Sequence, residues 1–293
     1  MKSTRRDFIK TSALAGAGIL SHQSQGLMAS ERKKTLPAIG ICTPIEKSQL
    51  IENSGCIFIE EVVQGFLVPD KDETEFNAKL TLAKQSKLTV TACNSFLPGR
   101  LKSVGPKAVH NDILRFAETA FRRAAMSGVK IIVFGSGGSR SIPEGFSREK
   151  ALIQFTDLCK QLAPLAQKHH VTVVIEPLNT KECNFINSVA EGGEIVKTVN
   201  HPNIRLLADL YHMKMEDEDP SNIIQYGPLL HHVHIAEKEG RSAPGTHGED
   251  FTAYFAALKK IGYKGAISIE CGWQNIKLQA PVAIRTIVEQ WNA

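Results

Sequence analysis

The sequence is short of several features that would settle its class quickly. Its six cysteines, Cys42, Cys56, Cys93, Cys159, Cys183 and Cys271, show no tight spacing, so nothing in it reads as a disulfide framework or a thiolate metal site. Four of them, Cys42, Cys56, Cys93 and Cys271, fall in or beside predicted strands and read as small buried hydrophobes. No block of basic residues gives the footprint of a nucleic-acid-binding surface. No G-x-G-x-x-G turn follows the first predicted strand, and Gly135-Ser-Gly-Gly-Ser-Arg140 lacks the lysine of a G-x-x-x-x-G-K-[ST] loop. That segment reads either as an anion-binding nest or as a plain β/α turn. There is no low-complexity stretch, and no linker that would divide the chain after its first residues.

The formal charge of +5 is concentrated at the start. Residues 1–30 hold Lys2, Arg5, Arg6 and Lys10 against Asp7 alone, which leaves about +2 for the rest. Ser3-Thr4-Arg5-Arg6-Asp7-Phe8-Ile9-Lys10 precedes a mildly apolar run, Thr11–Leu20, and resembles a twin-arginine export signal. The run is far shorter than the roughly 20 residues a permanent membrane span needs. The expectation is a signal and linker over 1–30, use of the twin-arginine export machinery, a periplasmic protein, and no stable membrane insertion after cleavage. No cysteine precedes Cys42, which argues against a lipid anchor at the cleavage site.

From residue 37 onward, short Val- and Ile-rich runs alternate with helical patterns. Strands are expected near Ala38–Thr43, Cys56–Val63, Leu88–Ser95, Lys130–Gly135, Val171–Leu178, Ile204–Tyr211, His231–Ala236 and Ala266–Cys271. Their flanking Gly, Pro and Asn residues and near-continuous apolar character suit a parallel sheet buried on both faces. The clearest helix is Pro106–Ser127, with Ile113, Phe116, Ala117, Ala120, Phe121 and Ala124 on one face. Others are expected at Glu46–Asn53, which is weak, and at Lys71–Gln85, Ser147–Lys168, Ser188–Thr198, Ser221–Tyr226, Phe251–Ile261 and Pro281–Trp291. Gly128, Asn200 and Gly262 supply helix stops. Eight β/α units over 37–293 predict an α/β fold, a single (β/α)8 TIM barrel.

That fold carries its chemistry at the C-terminal ends of its strands. Glu176, Asp209, His234 and Glu270 stand at or near the ends of strands five to eight, where closure would gather them. A single acid at a strand end caps a helix or pairs with an arginine about as readily as it binds metal; four in consecutive strands point to a shared site. Three carboxylates and an imidazole suit Mn²⁺, Co²⁺, Mg²⁺ or Zn²⁺. Alternation places His232 and His234 on one face and His231 on the other, so His232 is a second inward candidate. Glu60 and Glu61 read either as mouth residues or as surface charges, and Trp273 either stacks on a ligand ring or packs the rim.

Glu176-Pro-Leu-Asn179-x-x-Glu182, Asp209-x-x-His212, His234 followed by Arg241-Ser-Ala-Pro244-Gly245, and Ile-Ser-Ile-Glu270 resemble the xylose isomerase-like barrel superfamily. The likeness is strongest to its D-tagatose 3-epimerase, D-psicose 3-epimerase and hydroxypyruvate isomerase branch, and it covers residue 37 to the end. It implies that Glu176, Asp209, His234 and Glu270 hold one divalent ion, Mn²⁺ by preference. It implies further that Glu176 and Glu270 exchange protons with a keto-sugar through a metal-stabilised enediolate, and that Glu182, His212 and Arg241 contact substrate oxygens. His234 and Arg241 are seven residues apart, one more than the family pattern.

The expected activity is therefore a sugar isomerase or epimerase acting on a small carbohydrate. A metal-dependent lyase or eliminase on 3-keto-glycosides would use the same site, and a non-catalytic sugar-binding barrel would keep the fold alone. A nuclease resembling endonuclease IV would need more histidines in the mouth and a phosphate-binding charge footprint. Homo-oligomerisation is left open.

Overall fold

The computed structural model describes residues 36–293. The export-signal reading of residues 1–30 lies outside the described residues. Eight strands run in parallel: β1 (Ala38–Cys42), β2 (Phe58–Val62), β3 (Thr89–Asn94), β4 (Ile131–Phe134), β5 (Thr172–Ile175), β6 (Ile204–Asp209), β7 (Leu230–Ile235) and β8 (Ala266–Ile269). They pair in chain order, and β8 closes back onto β1 through Ala38 opposite Ala266 and Ile41 opposite Ile269. The fold is a (β/α)8 barrel, as the alternation of runs implied.

Strand ends are shorter than the apolar runs that announced them, for local reasons. Pro177 has no N–H to continue the ladder after β5. After β6 the Asp209 carboxylate accepts from the Tyr211 N–H at 2.8 Å and turns the chain into a helix, Leu210–Met215, where an extended Tyr211 was expected. The longer helices use the caps their sequences offer. Asp72 accepts from the N–H groups of Thr74 and Glu75 ahead of Glu73–Gln85, and Ser147 and Ser188 do the same for Arg148–Lys168 and Val189–Val199. Gly128 stops the helix His110–Ser127 in the left-handed region at φ 86°, which costs glycine nothing. The last helix begins at Ile276, five residues before the expected Pro281, because Asn275 caps it by accepting from the Leu278 N–H. Pro281 is tolerated within it, near its N-terminal end.

Strand alternation sorts the core into two regions. Outward residues such as Ile41, Ile59, Phe134 and Ile175 join the large cluster beneath the helices. Within it Phe134 packs edge-on to Phe96 at 5.3 Å and tilted against Phe155 at 5.0 Å, tying β4 to the helix Arg148–Lys168. Inward Val133, Val174 and Leu207 form a small separate cluster on β4 to β6. The opposite side of the interior is polar: Glu60, His232, His234 and Ser268, from β2, β7 and β8, are all fully buried. Two register shifts, at Ile59/Glu60 and Leu206/Leu207, lie on strands that carry this polar layer or the acid above it. Among the described residues no helix is long and apolar enough to cross a membrane.

Because Phe134 is fully buried between two aromatic neighbours, Phe134→Ala is expected to destabilise the barrel by about 3–5 kcal/mol. A urea unfolding midpoint unchanged from the parent protein would contradict that packing.

Candidate metal centre and active site

Closure delivers the four expected residues to one place. Glu176, Asp209, His234 and Glu270 each offer a ligand atom, and these atoms all lie within 4.8 Å of one another. Glu176 and Glu270 follow the last paired residues of β5 and β8, Asp209 ends β6, and His234 lies beside Asp209 in register on β7. His234 sits at the centre: its Nδ1 is 2.9 Å from Glu176 Oε1 and 3.4 Å from Glu270 Oε2.

The charge in this mouth is heavily concentrated. Glu176, Asp209 and His234 are buried, and Glu270 is partly so. Burial raises the Asp209 carboxyl to about 6, although Arg241 and His234 pull the other way. It also raises Glu176, against the hydrogen bond from His234. Burial opposes ionisation of Glu270 as well, but His234 and Arg241 outweigh it and hold that carboxyl below its usual range. For His234, burial disfavours the charged imidazole, but Glu60, Glu270 and Glu176 outweigh it and push the group well above its ordinary value.

The arrangement fits a hard or borderline divalent cation. Three carboxylates and one imidazole converge at ligating separations, and Asp209 Oδ2 is buried without a hydrogen-bond partner. A buried unpaired carboxylate oxygen is costly, and a cation at that point removes the cost.

The three expected substrate contacts surround this cluster. His212 is buried on the short helix after β6, and its Nδ1 accepts from the Asn179 backbone N–H at 3.1 Å and lies 2.8 Å from Asn179 Nδ2. That leaves the His212 proton on Nε2, which is 3.5 Å from Asp209 Oδ2 and has no hydrogen-bond partner. Arg241 bonds the Glu270 carboxylate, reaches Glu182 at 3.3 Å, and lies over the Tyr211 ring at 4.7 Å from its centre. The step from His234 to Arg241 leaves β7 after Ile235 and runs through a loop. There Arg241 takes φ 48°, and its carbonyl accepts from the Gly272 N–H at 2.8 Å. Buried Glu237 braces the same loop by accepting from the N–H groups of Gly245 and His247.

Several residues that hold the site were missed or left open in the sequence. Asn94, at the end of β3, donates to Glu270 Oε1 at 3.0 Å; alternation on that strand places it inward, a signal available without the structure. Glu60 points into the barrel, whereas Glu61 faces the helices and accepts from the Ile45 N–H, so neither is a surface charge. His232 is inward and buried, and His231 is half-buried on the opposite face, as alternation required. Trp273 packs partly buried against the main core. The glycine-rich segment is a helical turn, Gly137–Arg140. Its Arg140 is fully buried and donates to the carbonyls of Phe134 and Glu176, locking the ends of β4 and β5. Gly135 makes room for the centre itself, since a Cβ there would lie 2.0 Å from Glu176 Oε2.

Comparisons with known proteins agree with this architecture. A family model described as Xylose isomerase-like TIM barrel matches residues 49–290. L-ribulose 3-epimerase from Methylomonas sp. (strain DH-1) is 37% identical over 112 residues, 38% of this chain and 39% of that protein. A putative hydroxypyruvate isomerase from Homo sapiens is 28% identical over 162 residues, 52% of this chain and 57% of that one. The alignments span between 38% and 57% of the lengths of such curated relatives. The crystal structure of D-psicose 3-epimerase with D-tagatose from Clostridium cellulolyticum H10 superposes with a TM-score of 0.76 at 19% identity, covering 87% of this chain and 99% of that one. At that identity the likeness speaks for the fold.

Gly135→Ala is expected to displace the Glu176 carboxylate and weaken divalent-cation binding by about tenfold or more. Titration calorimetry with Mn²⁺, alongside an unchanged far-ultraviolet circular dichroism spectrum, would read this effect apart from misfolding.

Proposed function

The chain belongs to the xylose isomerase-like TIM barrel family, and we propose that it is a divalent-metal-dependent sugar isomerase or epimerase acting on a keto-sugar, with Glu176 and Glu270 as its two proton-transferring groups. The observation that carries this reading is the convergence of Glu176, Asp209, His234 and Glu270 at the C-terminal mouth of the barrel. Those four residues would hold the ion, Mn²⁺ by preference. When bound, the ion supplies Lewis acidity that makes a proton on carbon next to a carbonyl removable at neutral pH.

The remaining chemistry belongs to the side chains. One of Glu176 and Glu270 takes the proton from the carbon beside the carbonyl, and the other returns a proton from the opposite face, inverting the centre. They come from β5 and β8, three strands apart, so two carboxylates can flank one small substrate. Both are also ion ligands in this reading, which lowers their basicity, so the transfer relies on close positioning. Asn94 and Arg241 steady Glu270, and Arg140 anchors the backbone of Glu176. His212, with its Nε2 proton unpartnered, and Glu182 and Arg241 at the rim would grip the substrate oxygens.

The curated relatives named as an epimerase and a putative isomerase support the same class. For residues 1–30 we propose twin-arginine export to the periplasm, on the strength of the Ser-Thr-Arg-Arg-Asp-Phe-Ile-Lys motif. Export favours a free sugar over a phosphosugar.

Incubation of the metal-loaded protein in D₂O with D-tagatose, D-fructose, hydroxypyruvate and 3-keto-disaccharides tests the activity. Deuterium entering the carbon beside the carbonyl without bond cleavage is the expected result. Release of a sugar from the disaccharides would instead establish elimination, and no exchange on any of them would overturn the reading. Asp209→Ala is expected to abolish both metal content and exchange; full activity in that variant would refute the site. Lysine at both Arg5 and Arg6 is expected to retain the chain, uncleaved, in the cytosol of an export-competent host, as mass spectrometry of cell fractions would show.

A further inference from the structure

Below the four-residue cluster lies a second buried layer that none of the proposed chemistry uses. Glu60 is fully buried in the barrel interior, on β2, across from the strands that carry the histidines. Its Oε1 is 2.9 Å from His234 Nε2, and its Oε2 is 2.8 Å from His232 Nε2 and 2.7 Å from the Ser268 hydroxyl. His232 Nε2 and Ser268 Oγ are themselves 3.1 Å apart, so one carboxylate gathers three groups from β7 and β8. A buried carboxylate is costly unless each oxygen is paired. Here both are, and one of the partners is the imidazole at the heart of the proposed ion site.

We propose that Glu60 is a positioning residue, which accepts the Nε2–H of His234 and thereby presents Nδ1 to the cation bound with Glu176, Asp209 and Glu270. The proposal rests on the ion-binding reading of that cluster. The imidazole has two nitrogens, and only the one facing Glu176 and Glu270 can complete the set. An acceptor fixed at 2.9 Å from the other nitrogen sets both tautomer and ring angle. His232 and Ser268 in turn fill the second oxygen of Glu60, so the carboxylate cannot rotate away without breaking two more hydrogen bonds. Glu60, Ser268 and His232 thus build a shelf under His234 from three different strands. A competing arrangement exists, because Cys42, Glu60 and His234 also lie close enough to hold an ion among themselves. In that arrangement His234 would ligate through Nε2 and Glu60 would be a ligand.

Two measurements decide the matter. In Glu60→Leu, which removes the acceptor at similar volume, affinity for Mn²⁺ by titration calorimetry is expected to fall about 10–100-fold. The conservative Glu60→Gln variant, whose amide oxygen still accepts the His234 Nε2–H, is expected to recover part of that loss. Wild-type affinity in Glu60→Leu overturns the proposal while leaving deuterium exchange by the parent protein untouched. The second measurement needs no variant: in the Co²⁺-loaded wild-type protein, ¹⁵N-histidine NMR is expected to show His234 protonated on Nε2 and ligating through Nδ1. Protonation on Nδ1, or a cobalt–thiolate band in the near ultraviolet from Cys42, would overturn it. A parent protein that binds no divalent ion would sink the site reading and this proposal together.

Discussion

The structure depends on one electrostatic constraint: a buried mouth that brings Glu176, Asp209 and Glu270 together around His234 must find positive charge for them. Carboxylates taken from water at such separations repel one another and lose hydration. The chain answers with fixed partners on every side. Arg241 pairs with Glu270 and reaches toward Asp209 at 3.8 Å, and Asn94 donates to the other Glu270 oxygen. One oxygen, Asp209 Oδ2, is left for something else, beside an unpartnered His212 Nε2. Asn94 Oδ1 is a third buried atom there without a partner, so the mouth keeps unpaired polar atoms where a cation and a ligand oxygen would fit.

Rigidity around that place comes from the barrel rather than from the loops alone. Arg140 is spent on the carbonyls of Phe134 and Glu176, so the strand that carries Glu176 is held from behind. Gly135 leaves the space its carboxylate occupies. On the opposite side, Glu60, His232 and Ser268 replace the apolar filling seen at Val133, Val174 and Leu207. A barrel interior is ordinarily packed with branched apolar side chains. The departure from that rule is confined to the strands under the imidazole, where a hydrogen-bonded shelf serves orientation as well as packing. The rim is less buried: Glu182 is exposed and Arg241 only partly covered.

Much of this was legible in the linear chain because the relevant signals are local. Val- and Ile-rich runs, capping residues such as Asp72 and Ser188, and stops such as Gly128 act within a few residues, and the strands and helices they announce are all present. The candidate acids and histidine were legible because a β/α barrel places strand ends at one mouth. Boundaries were less so. The helix at Leu210–Met215 hangs on the Asp209 carboxylate turning back to Tyr211 N–H, and the last helix begins where Asn275 finds Leu278 N–H.

What the sequence determined by itself is the alternation that makes a parallel barrel and the four ligand-type residues at its strand ends. Both follow from periodicity and residue chemistry. What only the tertiary structure decided is what faces what across the barrel. Glu60 lies 174 positions from His234, and nothing local distinguishes it from Glu61 beside it. Register and closure put one on the imidazole and the other against the Ile45 backbone. Likewise Arg140 read as a turn residue until burial set its guanidinium between two strand ends. Hydrogen bonds between distant strands depend on the pairing register, and a register is fixed only when the whole sheet has closed.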